Sequence, residues 1–194
     1  MKKIGIFGGT FNPPHIGHFS VAESILSQLN LDKIIFVPAY ISPLKNNGEE
    51  NNAIQRLEMV KLKIKSNSRF EVSSFEIEKG EISFTIDTVI YLKNIYNDAQ
   101  LYLIMGFDAY DKIHLWKDYI KLCELVTVVV MNRGEYKVTN KLNENVKFIS
   151  VPNIPISSTM IRKKILQDEK INEYVDEKIL SYINNNNLYK KPNE

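Results

Sequence analysis

An α/β fold, a Rossmann-like parallel sheet with helices on both faces, follows from three observations on these 194 residues. Short apolar runs alternate with segments of helical periodicity, the order that successive βαβ units produce. The first run leads through a glycine pair directly into a helical pattern. The chain is 44% hydrophobic, enough at this length to bury one core.

In chain order, Ile4-Gly5-Ile6-Phe7 has the length and apolarity of a buried parallel strand. Gly8 and Gly9 then allow a sharp turn and a close backbone approach to a ligand. Pro13 and Pro14 stiffen a short loop, and Ile16, Phe19, Val21, Ala22, Ile25, Leu26 and Leu29 predict a helix beginning near Ile16 or Gly17. Strands are predicted at Lys33 to Val37, Leu101 to Met105, Val126 to Met131 and Val146 to Val151. Helices are predicted around Ala53 to Lys65, Ile86 to Tyr96 and Trp116 to Glu124. Residues 157–186 read as a short C-terminal helical segment belonging to one domain that spans 1–194. Asn46 to Asn52 reads as a loop and Asn184 to Asn187 as a helix end fraying into a polar tail. No internal repeat is visible.

Composition narrows the function. Net charge is +2, with 25 basic and 23 acidic residues interspersed, so no nucleic-acid or membrane surface stands out. The single cysteine, Cys123, lies in an apolar helical pattern as a core residue and fits a reducing, cytoplasmic setting. Met1-Lys2-Lys3 resembles the start of a signal peptide, but Gly8-Gly9 interrupts the apolar stretch too early, and no run approaches ~20 apolar residues. A P-loop pattern is absent, and Gly5, Gly8 and Gly9 lack the spacing of a dinucleotide-binding turn.

Gly8-Gly9-Thr10-Phe11-Asn12-Pro13-Pro14-His15-Ile16-Gly17-His18 carries the strongest chemical signal. Residues three apart share a helix face, so His15 and His18 point where the first turn's backbone N–H groups and positive dipole end also point. Convergent donors of this kind suit a polyphosphate. Two of the chain's three histidines fall within this one stretch, which weakens the alternative of two unrelated surface or core histidines. A metal pair is disfavoured because no third Cys, His or carboxylate lies beside them. Farther on, Ser157, Ser158 and Thr159 precede an apolar helical pattern and read as its cap, with Arg162 one turn in.

Gly8 to His18 resembles the G-G-T-F-(D/N)-P-x-H-x-G-H signature of the nucleotidylyltransferase superfamily, and Ile156 to Arg162 resembles its I-S-S-T-x-I-R signature. The segments between resemble those of bacterial nicotinate-nucleotide adenylyltransferases: Ser83-Phe84-Thr85-Ile86-Asp87-Thr88, Arg56-Leu57-Glu58-Met59, and Gly106-Phe107-Asp108 followed by Leu115-Trp116. The chain departs from that pattern at Ser42-Pro43-Leu44-Lys45, where a histidine is usual at the third place, and at Arg133-Gly134, where Arg-Pro-Gly is usual.

The resemblance implies transfer of AMP from ATP to nicotinate mononucleotide, giving nicotinate adenine dinucleotide and pyrophosphate in NAD biosynthesis. It implies that His18, His15, Thr10 and Arg162 serve the reaction. ATP would meet Gly8, Gly9, Thr10, Phe11, His15, His18, Gly106, Asp108, Ile156, Ser157, Ser158 and Arg162. The acceptor would meet Lys45, Thr85, Trp116 and Arg133, with the Trp116 indole against the nicotinate ring and Thr85 near its carboxylate. Mg²⁺ would ride on the ATP phosphates, not in a protein cage. Expected partners are these small molecules, with oligomeric state left open. Pantetheine-phosphate adenylyltransferase, a nicotinamide-nucleotide preference, and a catalytically silent nucleotide sensor are the alternatives. Read alone, Trp116 fits a packing residue, Thr85 a strand residue or helix cap, and Asp108 a helix N-cap.

Overall fold

A computed structural model describes residues 1–43, 53–132 and 145–190. Six strands form one parallel sheet: β1 (Lys3–Gly9), β2 (Lys33–Pro38), β3 (Phe70–Val72), β4 (Gln100–Gly106), β5 (Thr127–Asn132) and β6 (Val146–Ser150), in spatial order β3-β2-β1-β4-β5-β6. Chain direction across the sheet reverses on either side of β1, which pairs with both β2 and β4. In open parallel sheets that switch point opens a crevice at the carboxyl ends of the strands.

The apolar runs of β1, β2, β4 and β5 are buried on both sides because helices cover both faces. On one face, Phe7, Ile34, Phe36, Ile104 and Val129 pack with α1 (Ile16–Gln28) and α2 (Ala53–Ile64), and with α7 (Ser158–Leu166) and α8 (Glu177–Asn185) through Ile161, Ile165, Ile179 and Ile183. Ile4, Ile6, Ile35, Val37, Leu101, Leu103, Val128 and Val130, the alternate residues, face Ile86, Val89, Leu122 and Val126. Those residues belong to or adjoin α4 (Thr85–Ile95) and α6 (Tyr119–Leu125); α3 (Phe75–Lys79) and α5 (Phe107–Asp111) complete the eight helices of the described residues. Burying one such Ile or Phe side chain contributes roughly 1.5–3 kcal/mol, so the two faces together dominate stability. Lys63 Nζ ties α2 to the start of α8 through Asp176 Oδ2 at 2.9 Å.

The predicted strands and the first three helices lie within a few residues of their expected places, but three local features differ. Gly8 and Gly9 do not form a sharp turn: both remain in β1, paired with Val37 and Pro38, and neither takes a positive φ. The left-handed residue is Phe11, at φ 51°, followed by a cis Asn12-Pro13 bond. The helix expected from Trp116 begins at Tyr119, because Trp116 is extended and Asp118 sits at φ 51°, ending a short 3-10 turn at Ile113–Leu115 before a new helix starts. Three-residue β3 and five-residue α3 and α5 are too short to show periodicity. Cys123 is buried in α6, and burial pushes its thiol pKa up, as suits an inert core residue. Among the described residues no helix is long and apolar enough to cross a membrane.

Candidate active site

The polar loop after β1 is built from the two sequence signatures together. Pro13 O accepts from Ser158 Oγ at 2.9 Å, and Asn12 O accepts from Arg162 Nη1 at 2.8 Å. Tyr189 adds a third tie, its hydroxyl donating to Asn12 Oδ1 at 2.7 Å. Residues 145 and 150 positions apart in the chain are thereby held at one place.

His15 caps α1 and His18 is the third residue of that helix. The His15 backbone N–H donates to His18 Nδ1 at 3.2 Å, and the two rings lie 3.8 Å apart at 32°. An Nδ1 that accepts a hydrogen bond leaves the proton of a neutral ring on Nε2, so the His18 donor is Nε2–H. Phe11 buttresses it edge-on at 5.0 Å and is itself buried against Phe7 and Phe36. Two glycines matter by what they omit. A Cβ on Gly17 would stand 3.1 Å from His15 Nδ1, and one on Gly9 would meet the Phe11 ring at 3.0 Å.

Of the three residues expected as a cap, Ser157 alone is the cap of α7, its Oγ accepting from Met160 N at 3.1 Å, while Ser158 and Thr159 are the first two residues of the helix. Arg162 also reaches Thr159 Oγ1 at 3.5 Å. Ile156, just before the cap, packs partly buried against the core.

Beside this cluster lies a cavity of about 340 Å³ whose wall includes Gly8, Gly9, Thr10, Thr85, Gly106 and Trp116. Thr10 belongs to both regions. Thr85 is the first residue of α4, not a strand residue or cap. Among the described residues Trp116 Nε1, itself buried, meets no hydrogen-bond partner. Asp108 is exposed in the first turn of α5, where Gly106 is the N-cap, and so is not itself a cap. Ser42 and Pro43 line the cavity; Leu44, Lys45, Arg133 and the Asn46 to Asn52 loop lie outside the described residues.

Two buried polar residues brace this region, Arg56 outside the cavity lining and Glu76 within it, and neither was assigned a role from the sequence. Arg56, fully buried on α2, donates from Nη1 to Thr10 O at 2.7 Å and from Nη2 to Tyr40 O at 3.1 Å. Its trace in the sequence is a cation inside the apolar stripe Ala53, Leu57, Val60, Ile64. Glu76, buried on α3, accepts from Thr88 Oγ1 at 2.5 Å; Ser83 Oγ nearby accepts from Tyr40 N at 2.9 Å. Five-residue α3 offers no pattern that would have marked Glu76 in advance.

Burial raises the Glu76 carboxyl above its ordinary pKa, outweighing the stabilising hydrogen bonds of Thr88 and Ser83. The folded protein therefore holds this proton more tightly than the unfolded chain, and stability from Glu76 is full below pH 4.5 and lost as pH rises through the folded value. Glu76→Gln retains an acceptor for Thr88 and removes the ionisation. Its Tm should gain on the parent's as pH rises above 4.5 in paired thermal melts, and a Tm difference independent of pH would refute this.

A cytidylyltransferase-like family model matches residues 6–164. Nicotinate-nucleotide adenylyltransferase of Bacillus subtilis (strain 168) is 38% identical over 189 residues, 97% of this chain and 99% of that one. A probable nicotinate-nucleotide adenylyltransferase of Clostridium botulinum (strain Alaska E43 / Type E3) is 38% identical over 98% of this chain and 100% of its own length. Among solved structures, Plasmodium falciparum nicotinic acid mononucleotide adenylyltransferase complexed with NaAD superposes with a TM-score of 0.79 at 23% identity, covering 97% of this chain and 98% of that one. A Vibrio parahaemolyticus putative nicotinate-nucleotide adenylyltransferase gives 0.72 at 24%, over 99% and 98%. These two speak for the fold alone.

Proposed function

The chain belongs to the cytidylyltransferase-like family and, within it, to the nicotinate-nucleotide adenylyltransferases, and on that premise we propose how its residues carry the reaction. It is a nucleotidyltransferase of NAD biosynthesis that transfers AMP from ATP to nicotinate mononucleotide, releasing pyrophosphate. The observation that supports the site reading most directly is the junction of the two signatures at Asn12-Pro13 with Ser158 and Arg162, directly beside the cavity lined by Thr85 and Trp116. A triphosphate at the junction and a ring in the cavity meet across Gly8-Gly9-Thr10.

The acceptor's phosphate has a second pKa of roughly 6 and is already anionic near neutrality, so it attacks the α-phosphorus without a general base. The protein's task is to align the reactants and to stabilise charge as it develops. His18 directs Nε2–H at the α-phosphate, with His15 beside it and Thr10 offering a hydroxyl. The N-terminus of α7, with Ser157 and Ser158, faces the β- and γ-phosphates, and Arg162 attracts the departing pyrophosphate. Asp108 accepts from a ribose hydroxyl of ATP. Thr85 and Trp116 hold the acceptor's ring.

The donors gathered here are N–H groups, hydroxyls and a guanidinium, which fit phosphate oxygens. The required divalent cation, Mg²⁺ in this reading, fits as a guest of the ATP phosphates and would neutralise part of their charge there.

Purified protein given ATP, Mg²⁺ and, in parallel, nicotinate mononucleotide, nicotinamide mononucleotide or phosphopantetheine should form the nicotinate dinucleotide and stoichiometric pyrophosphate, read by mass. Product from phosphopantetheine alone, or no product from any acceptor, would overturn the assignment.

A further inference from the structure

We propose that Lys117 is a specificity-determining residue: its ammonium at the cavity wall favours an acceptor ring bearing a carboxylate over one bearing a neutral amide. The proposal rests on the reading of the cavity as the pyridine-ring site. Among the described residues lining that cavity, Glu76 and Lys117 alone have ionisable side chains; the rest are apolar, glycine, or neutral hydroxyls. The Glu76 carboxyl group is turned onto Thr88, whose hydroxyl donates to it, which leaves Lys117 as the cation of this wall.

Lys117 follows Trp116 directly. Its Nζ lies 4.7 Å from the centroid of Phe84, another wall residue, and 3.5 Å from Asp87 Oδ1. Asp87 is held more closely from its other side, where Lys79 Nζ donates to Oδ2 at 2.8 Å. The Lys117 ammonium can therefore turn toward a ligand without leaving Asp87 unpaired. A carboxylate beside Phe84 and Thr85 gains a charge-assisted contact from it, and an amide gains none. With 46% of the Lys117 side chain exposed, water screens the attraction, so discrimination by this residue is moderate in size.

The test is kcat/KM for nicotinate and nicotinamide mononucleotides with the wild type, Lys117→Met and Lys117→Arg. The acid-to-amide ratio should fall about tenfold in Lys117→Met, chiefly through the KM for the acid, and should be largely restored in Lys117→Arg. Added salt should shrink the wild-type ratio more than that of Lys117→Met. Equal losses for both acceptors would mean that Lys117 only packs on Phe84, and that result, or an unchanged ratio, overturns the proposal while leaving the adenylyltransferase reading in place. A wild-type protein that makes neither dinucleotide overturns both.

Discussion

His18→Ala is expected to lower turnover by ~10²–10³ with little change in the KM for the acceptor, the loss typical of one donor removed from a developing oxyanion. The geometry explains why the effect falls on catalysis. Nδ1 accepts from the His15 backbone N–H and Phe11 fixes the ring edge-on, so the proposed contact of Nε2–H with a phosphate oxygen is set in direction before the substrate arrives. The same substitution removes one capping interaction of α1, a cost of roughly 0.5–2 kcal/mol, against a core in which Phe19, Val21, Ala22, Ile25 and Leu26 of that helix stay buried. Circular dichroism should therefore report a folded protein with a modestly lower Tm. Steady-state pyrophosphate release within threefold of wild type would remove His18 from the reaction. His18→Asn, which can still donate near the same place, should recover part of the lost rate.

The parts of this molecule that were legible in its sequence are those where one short pattern carries its own physics. Ile34-Ile35-Phe36-Val37 is apolar on both faces because helices cover both faces, and it reads as a buried strand without further information. Ser157 reads as a cap because a hydroxyl before an apolar helical pattern has few better uses. His15 and His18 read as a pair because three residues on a helix return to one side. Arg56 and Glu76 were not legible in function because their partners are contributed by distant segments: Thr10 and Tyr40 for one, Thr88 for the other. No local pattern announces a carbonyl 46 residues away. The sharp turn expected at Gly8 and Gly9 failed for a related reason. Their sequence implies a bend, but β1 continues through both by pairing with β2, and the turn passes to Phe11, whose ring is buried deeply enough to hold a left-handed backbone.

Arg56→Ala should be the most destabilising of the substitutions considered, by ~3–5 kcal/mol, or on the order of 10 °C in Tm for a chain of this size. Two effects oppose one another. Removing a fully buried guanidinium relieves its desolvation, which favours the variant. Against this, Thr10 O and Tyr40 O lose their donors at roughly 1–3 kcal/mol each, and truncating so large a buried side chain opens a void with its own cost. The second set outweighs the first because Arg56 holds a carbonyl in each of two loops at once, the loop after β1 and the loop after β2. Losing it also loosens Thr10 at the cavity wall, where the proposed phosphate and ring sites would meet, so kcat should fall even at temperatures where the variant is folded. Arg56→Lys separates charge from geometry. One ammonium on a flexible stem cannot hold both carbonyls with the fixed spacing of a guanidinium, so this variant should recover part of the stability and less of the rate. Denaturant melts placing Arg56→Ala within 1 kcal/mol of wild type would show that the two loops hold their positions without it.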